Sequence, residues 1–171
     1  MKKDAIKDTI LDKTRKYRYV LSRQWGANDN NFVNFVLLNP STADEGKDDQ
    51  TIRRCINLTK SWKYDGFYVT NLFAFRTRHP KILKKSTEPI GEENDKYLKQ
   101  IAKKSKIVVI AWGTHGNFLK RDEDVLKLIS SIKAPYCLEI TKYGHPKHPL
   151  TIRSTAKPIK YDSCGTSYNM G

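Results

Sequence analysis

The stretch KIVVIAWG, residues 106–113, decides the fold class of this chain. It is apolar on both faces and ends in a glycine, whereas a half-exposed strand would alternate apolar and polar residues. Uniformly apolar strands are typical of parallel sheets that lie between two layers of helices. Similar apolar runs occur at 33–38, 67–71 and 136–140. The sequence therefore predicts four buried parallel strands.

Segments with helical spacing separate these strands. They are DDQTIRRCINLTKSW (48–62), EENDKYLKQIAKKS (92–105) and RDEDVLKLISSI (121–132). Alternating strands and helices predict an α/β fold of three layers, αβα, with a central four-stranded parallel sheet. Upstream, the alternating stretch 16–25 indicates a half-exposed strand, and turn residues follow it. We expect this strand to form an N-terminal antiparallel hairpin with the strand at 33–38, and residues 1–171 to form a single domain.

The charge balance favours a polyanionic partner. The 171 residues include 32 Lys and Arg against 18 Asp and Glu, which gives a formal net charge of +14. Such a field attracts nucleic acids. Residues 141–160 hold five basic residues and no acidic one. We therefore expect DNA as the partner of a monomeric protein.

Composition also bears on the compartment and on cofactors. No apolar run approaches the ~20 residues of a membrane span, and the N-terminus lacks the apolar core of a signal peptide. We expect a cytoplasmic protein without membrane contact. The cysteines Cys55, Cys137 and Cys164 form no CxxC pair, so we expect reduced thiols and neither a metal site nor a cofactor.

Polar groups follow each of the four predicted strands. Asn39-Pro40 follows the first, Asn71 the second, Trp112-Gly113 the third, and the stiff, basic loop YGHPKHPLTIR (143–153) the fourth. In parallel sheets, ligands bind beyond the carboxyl ends of the strands. These sequence-distant groups are therefore expected to converge on one site.

The motifs LLNPSTAD, DDQTIRRC, YVTNLFAFR, VVIAWG and GHPKHPL resemble a family of uncharacterised bacterial and phage proteins, over roughly residues 17–153. More distantly, their order resembles the uracil-DNA glycosylase superfamily. That resemblance implies a glycosylase-like fold with a four-stranded parallel sheet. It also implies cleavage of a base from DNA.

The resemblance implies roles for individual residues. Asn39 matches the residue that positions the attacking water, Asn71 the residue that reads the edge of the extruded base, and His148 the histidine that stabilises the departing base. Pro149 and Leu150 match the loop that presses into the duplex. The acidic water-activating residue of the most active branch is absent, since Pro40 is followed by Ser41.

Other candidates come from the residues themselves. Asp44 is a candidate second ligand of the water, and we expect Asp48 to cap the helix at 48–62 rather than bind a metal. His145 is expected to shape its loop. The remaining candidates are Pro40, Phe75 and Trp112 for the base, and Lys142, Lys147, Leu150 and Arg153 for DNA.

These features together predict a DNA glycosylase. It would hydrolyse the N-glycosidic bond of a flipped uracil-like, damaged or modified pyrimidine and leave an abasic site, in DNA repair or phage defence. Two alternatives stay open. One is a non-catalytic DNA- or nucleotide-binding module of the same fold. The other is an enzyme that acts on a free nucleoside or nucleotide.

Overall fold

A seven-stranded mixed sheet runs through residues 4–162, which are the residues that the computed structural model describes. Cys164, predicted as a reduced thiol, lies outside them. The strands are β1 (Ile6–Leu11), β2 (Arg18–Gln24), β3 (Phe32–Leu37), β4 (Gly66–Asn71), β5 (Ile107–Ile110), β6 (Tyr136–Cys137) and β7 (Ile159–Lys160). The helices are α1 (Gln50–Ser61), α2 (Pro80–Lys85), α3 (Asn94–Lys104) and α4 (Arg121–Ser130).

The strand order is β1-β2-β4-β3-β5-β6-β7. Neighbouring strands from β4 to β6 pair in parallel, and the pairs at both edges of the sheet are antiparallel. The α/β class is confirmed. The sheet is larger than the predicted four-stranded parallel sheet, because antiparallel strands extend it at both edges. β6 is also shorter than predicted because the chain leaves the sheet after Cys137, and Ile140 instead pairs with Pro146 across the next loop.

The predicted hairpin between β2 and β3 is wrong. β2 pairs with β1 on one side and with β4 on the other, both antiparallel. Asp65, just before β4, explains the separation, because its carbonyl accepts hydrogen bonds from the backbone of Trp25 and Gly26 while its own N–H donates to Asn31. The turn after β2 thus crosses over β4 to reach β3.

The three long helices cover both faces of the sheet. Ile52 and Leu58 of α1 pack with Phe35 on one face. Leu98 of α3 and Val125 of α4 belong to a second buried cluster on the opposite face of the sheet. Val36 of β3 and Val108 of β5 belong to the same cluster. The alternation of side chains along a strand explains the two clusters, since both faces of each central strand are buried.

The three predicted helices are confirmed, but the capping residue of α1 differs from the prediction. The side chain of Asp49, not Asp48, accepts the hydrogen bond from the backbone N–H of Ile52, at 2.9 Å. Asp48 instead lies 2.9 Å from Nε of the fully buried Arg23. The need of a buried guanidinium for a carboxylate thus draws Asp48 away from the helix. The short α2 lies between β4 and α3 and begins with Pro80.

Within residues 4–162, no helix has both the length and the apolar character that crossing a membrane requires.

Candidate functional site

A cavity of about 470 Å³ lies at the carboxyl ends of the parallel strands. The loops after β3, β4, β5 and β6 all contribute to its lining. The same cavity is lined by Asn39, Trp112 and His148. Asn39 and His148 are more than 100 residues apart in the chain. The convergence follows from the parallel pairing, because parallel strands end at the same edge of a sheet.

Gly113 connects two of these loops. Its φ of +77° lies in the left-handed region, which a glycine adopts without steric cost. Its backbone N–H donates a hydrogen bond of 2.8 Å to the carbonyl of Pro146, in the loop after β6. The turn after β5 is therefore fixed to the loop that carries His148.

His148 is held by one of its ring nitrogens. Nδ1 accepts a hydrogen bond of 3.2 Å from the backbone N–H of Leu150, and so caps the short 3-10 turn Pro149–Thr151. A ring nitrogen that accepts carries no proton, so the neutral ring has its proton on Nε2. Burial lowers the pKa of His148 below its ordinary 6.5, against a smaller opposing effect of Asp49. At neutral pH the side chain is therefore a neutral imidazole whose Nε2–H is a donor.

Asn39 braces the cavity wall. Its amide nitrogen donates to three backbone carbonyls, those of Thr77 at 2.8 Å and of Phe75 and Pro40 at 3.2 Å each. These bonds tie the loop after β3 to the loop after β4. The amide oxygen is the part of the side chain left to bind a ligand or a water.

The acidic residue at this cavity is Asp49, since among the described residues it alone supplies a carboxylate to the lining. Its Oδ2 accepts from Oγ of Ser41 at 2.6 Å, and its Oδ1 accepts from the N–H of Ile52. Asp44 does not line the cavity, and its Oδ1 accepts from the N–H of Gly46 at 2.8 Å. Sequence reasoning chose Asp44 because the spacing of the acidic residues does not tell which of them caps the helix.

Several basic side chains surround the cavity. Arg18, Arg78, His115 and Lys147 line it. Lys147 pairs with Glu139 at 2.9 Å. Arg18 is 3% exposed, and burial lowers its pKa to about 10. Sequence reasoning missed it because an arginine in an alternating strand is expected to face solvent.

Three predicted base-binding residues lie outside the cavity lining. Asn71 is fully buried, and neither its amide nitrogen nor its amide oxygen has a hydrogen-bond partner within residues 4–162. The ring of Phe75 packs edge-on against Tyr17, with centroids 5.9 Å apart. Pro40 is buried, and its carbonyl accepts from the N–H of Thr77. Trp112, by contrast, lines the cavity.

The predicted DNA-contacting residues are spread over the surface. Leu150 is half-buried and lines a neighbouring cavity of about 630 Å³ that Asp48 also lines. Arg153 is exposed. Lys142 places its Nζ 5.0 Å from the ring centroid of Tyr143, which is 76% exposed. Tyr143 is thus the large apolar side chain that this loop presents to solvent, and sequence reasoning had assigned that property to Leu150.

His145 takes part in the geometry of its loop. Its backbone N–H donates to Oγ1 of Thr141 at 3.1 Å, and its carbonyl accepts from the N–H of Thr141 at 2.8 Å. His145 does not line the cavity. Of the two histidines in this loop, His148 is therefore the one that a ligand can meet.

The comparison with protein families gives one finding that spans the site. A family model described as "Protein of unknown function (DUF1643)" matches residues 18–150, from the start of β2 to the turn after His148. No curated protein and no solved structure matches the chain. The matched range contains every strand whose carboxyl end borders the cavity.

Proposed function

The chain belongs to the DUF1643 family, and we propose that it is a DNA glycosylase that releases a flipped pyrimidine and leaves an abasic site. The observation that carries the proposal is the state of His148. Its Nδ1 is occupied by a backbone N–H, its ring is neutral at neutral pH, and it lines the cavity at the strand ends. A neutral donor at this position suits the departure of an anionic base. The order of the loop motifs supports the same reaction through its resemblance to the uracil-DNA glycosylase superfamily.

The chemistry explains why the donor matters. When the N-glycosidic bond breaks, its electron pair leaves with the base and positive charge develops on the sugar. The Nε2–H of His148 would donate to an oxygen of the base and stabilise the negative charge that develops there. One donor of this kind contributes roughly 2.7–4 kcal/mol to transition-state stabilisation.

Water completes the reaction by adding to the sugar, and a proton leaves it for solvent. The amide oxygen of Asn39 would accept a hydrogen bond from that water. Asp49 is the described carboxylate that lines the cavity. We therefore assign to Asp49 the role beside Asn39 that the sequence had suggested for Asp44. Oγ of Ser41 and a backbone N–H hold the carboxylate of Asp49 in a fixed position. Its negative charge would therefore stabilise the cationic sugar without a change in the side-chain conformation.

The basic surface supports DNA as the carrier of the base. The net charge of +14 favours a polymer over a small nucleotide. Lys142, Lys147 and Arg153 would contact phosphates. Tyr143, which is 76% exposed, is better suited than the half-buried Leu150 to stack against bases at the site of the extruded nucleotide.

The test is direct. The purified protein is incubated with single-stranded and double-stranded oligonucleotides that carry uracil, thymine, cytosine, or oxidised or 5-substituted pyrimidines, and alkali-labile strand breaks are measured. We expect breaks at one class of base, and far slower formation of these breaks with His148→Asn. Absence of breaks with every base would exclude the glycosylase proposal.

A non-catalytic binding module is the second candidate, and one observation favours it. The amide nitrogen of Asn39 and both carboxylate oxygens of Asp49 already hold the loops together, so these residues also have a purely structural explanation. Binding of DNA or nucleotide without release of any base would support this candidate.

A further inference from the structure

Three arginines are buried within residues 4–162, and one of them differs from the other two. Arg23 pairs with Asp48, and Arg121 pairs with Asp95. Arg18 forms no ion pair with any described carboxylate, although it is buried to the same degree. A buried charge is costly unless a partner compensates it. The position of Arg18 therefore needs an explanation that Arg23 and Arg121 do not.

The hydrogen bonds of Arg18 make the difference sharper. A guanidinium has five N–H donors. Arg18 uses Nη1 to donate to the carbonyl of Ala43 at 2.8 Å, and its buried Nε has no partner within the described residues. Arg23, five residues further along the same strand, uses Nε, Nη1 and Nη2 on Asp48, Ser22 and Asp44 respectively. Each of the three guanidinium nitrogens of Arg23 thus donates to the protein, whereas Nε of Arg18 does not.

The nearby acidic residues do not satisfy Arg18. Asp49 and Asp44 favour its charged form, but Asp49 binds Ser41 and Ile52 instead, and neither carboxylate forms an ion pair with it. With a pKa of about 10, the guanidinium stays charged at neutral pH. The cavity wall thus carries a positive charge that forms no ion pair with a carboxylate of residues 4–162.

The surroundings of Arg18 add to this positive potential. Thr51, in the first turn of the twelve-residue α1, lines the same cavity, and that turn contains no acidic residue. The N-terminus of a helix carries partial positive charge, which the carboxylate of Asp49 at the N-cap offsets in part. Arg78 lies in the same lining and carries a second positive charge.

We propose that Arg18 forms an anion subsite of the cavity, in which its guanidinium binds an oxyanion group of the ligand. The group is a carboxylate or a phosphate, because these match the fork of an arginine. Two ligands would supply it: a pyrimidine with an acidic substituent on its ring, or the phosphate of a nucleotide. The inference concerns binding and does not depend on cleavage of the glycosidic bond.

The experiment measures binding to the full chain by calorimetry. The probes are orotate as a pyrimidine carboxylate, uracil as its neutral counterpart, thymidine 5′-monophosphate, thymidine, and inorganic phosphate. We expect one anionic probe to bind about tenfold or more tightly than its neutral counterpart, because a charge-assisted hydrogen bond to the guanidinium is added. Preference for orotate would identify a substituted base, and preference for the monophosphate would identify a nucleotide.

Variants assign the effect to Arg18. Arg18→Met removes the charge, keeps much of the apolar stem, and should abolish the preference for the anionic probe. Lys99→Met removes an equal charge from the exposed surface of α3 and should leave the preference intact. Arg18→Lys keeps the charge without the fork and should lose part of the preference, so it also tests the proposal if Arg18→Met does not fold.

Thermal unfolding separates binding from a structural role. If Arg18 is an unsatisfied binding group, Arg18→Met should have a melting temperature equal to or above that of the wild type, and wild-type stability should rise with the preferred anion. Equal binding of anionic and neutral probes by the wild type, or an unchanged preference in Arg18→Met, would overturn the proposal. Base release with no anion preference would leave the glycosylase proposal intact and remove only the subsite.

Discussion

Replacing His148 by asparagine should separate the role of Nδ1, which caps the turn, from the role of Nε2, which donates to the base. The side-chain oxygen of asparagine is placed as Nδ1 is and can accept the hydrogen bond of the Leu150 N–H, as asparagine does at helix N-caps. It has no atom at the position of Nε2. His148→Asn should therefore keep the cap of the turn Pro149–Thr151 and lose the donor to the base.

The expected magnitudes follow from these two contacts. Since the 3.2 Å cap is preserved, the free energy of unfolding should change by less than about 1 kcal/mol. Loss of one donor to a developing anion should slow base release about 100- to 1,000-fold. DNA affinity should stay nearly constant, because the donor acts in the transition state and not in the bound ground state.

The assay is single-turnover base release on the substrate found in the oligonucleotide screen, with DNA binding and urea unfolding measured on the same samples. His148→Gln is the matched control, because its longer side chain can carry an amide nitrogen near the position of Nε2 but does not cap the turn. It should retain more activity than His148→Asn and lose about 0.5–1.5 kcal/mol of stability. A wild-type rate for His148→Asn would refute the reasoning.

The same ring gives a pH dependence whose sign is fixed. Burial lowers the pKa of His148 in the folded protein below 6.5, so the unfolded chain binds the proton more readily. The contribution of the neutral ring to stability is present above 6.5 and is lost as pH falls through the lower folded value. Urea unfolding between pH 7 and pH 5 should show this loss in the wild type and a weaker dependence in His148→Asn; equal slopes would contradict it.

Three further predictions concern acidic and basic side chains inside and outside the cavity. Asp49→Asn should keep the cap of α1 and slow base release at least tenfold in single-turnover assays, whereas Asp44→Asn should leave the rate unchanged; the reverse order would restore Asp44 to the site. Asp48→Ala should lower the free energy of unfolding in urea by about 3 kcal/mol, because it leaves the buried Arg23 without its carboxylate; a loss below about 1 kcal/mol would contradict this. Arg153→Ala should reduce the slope of log affinity for duplex DNA against log salt by about 0.9 if Arg153 contacts a phosphate, and an unchanged slope would place it outside the DNA contact surface.

The central strands and the long helices could be predicted because each carries its own signal. The apolar runs that became β3, β4 and β5 are buried on both faces, and the helical spacing of α1, α3 and α4 marks the face that packs on the sheet. The edge strand β1, with the sequence IKDTIL, carries no such signal because its first three residues are exposed. β1 is held in the sheet by its antiparallel pairing with β2. The composition of β1 alone does not predict this pairing.

In the site, too, the sequence located some residues and not others. His148 and Asn39 could be located because their loops follow strongly apolar strands. Asn71 was misjudged, since the residue that ends β4 turned out to be fully buried and away from the cavity lining. Which of two adjacent acidic residues, Asp48 or Asp49, reaches the cavity depends on the buried Arg23 of another strand.

The sequence by itself determined the α/β class and the loops that meet at one sheet edge, because hydrophobic periodicity and strand-ending residues are local properties. Only the tertiary structure decided that β2 lies beside β4, that Asp49 rather than Asp44 lines the cavity, and that Arg18 is buried there without an ion pair to a carboxylate of residues 4–162. Those outcomes depend on backbone pairing and charge compensation between residues far apart in the chain. No window of neighbouring residues contains that information, because the energy of a buried charge is set by whichever distant group the fold brings next to it.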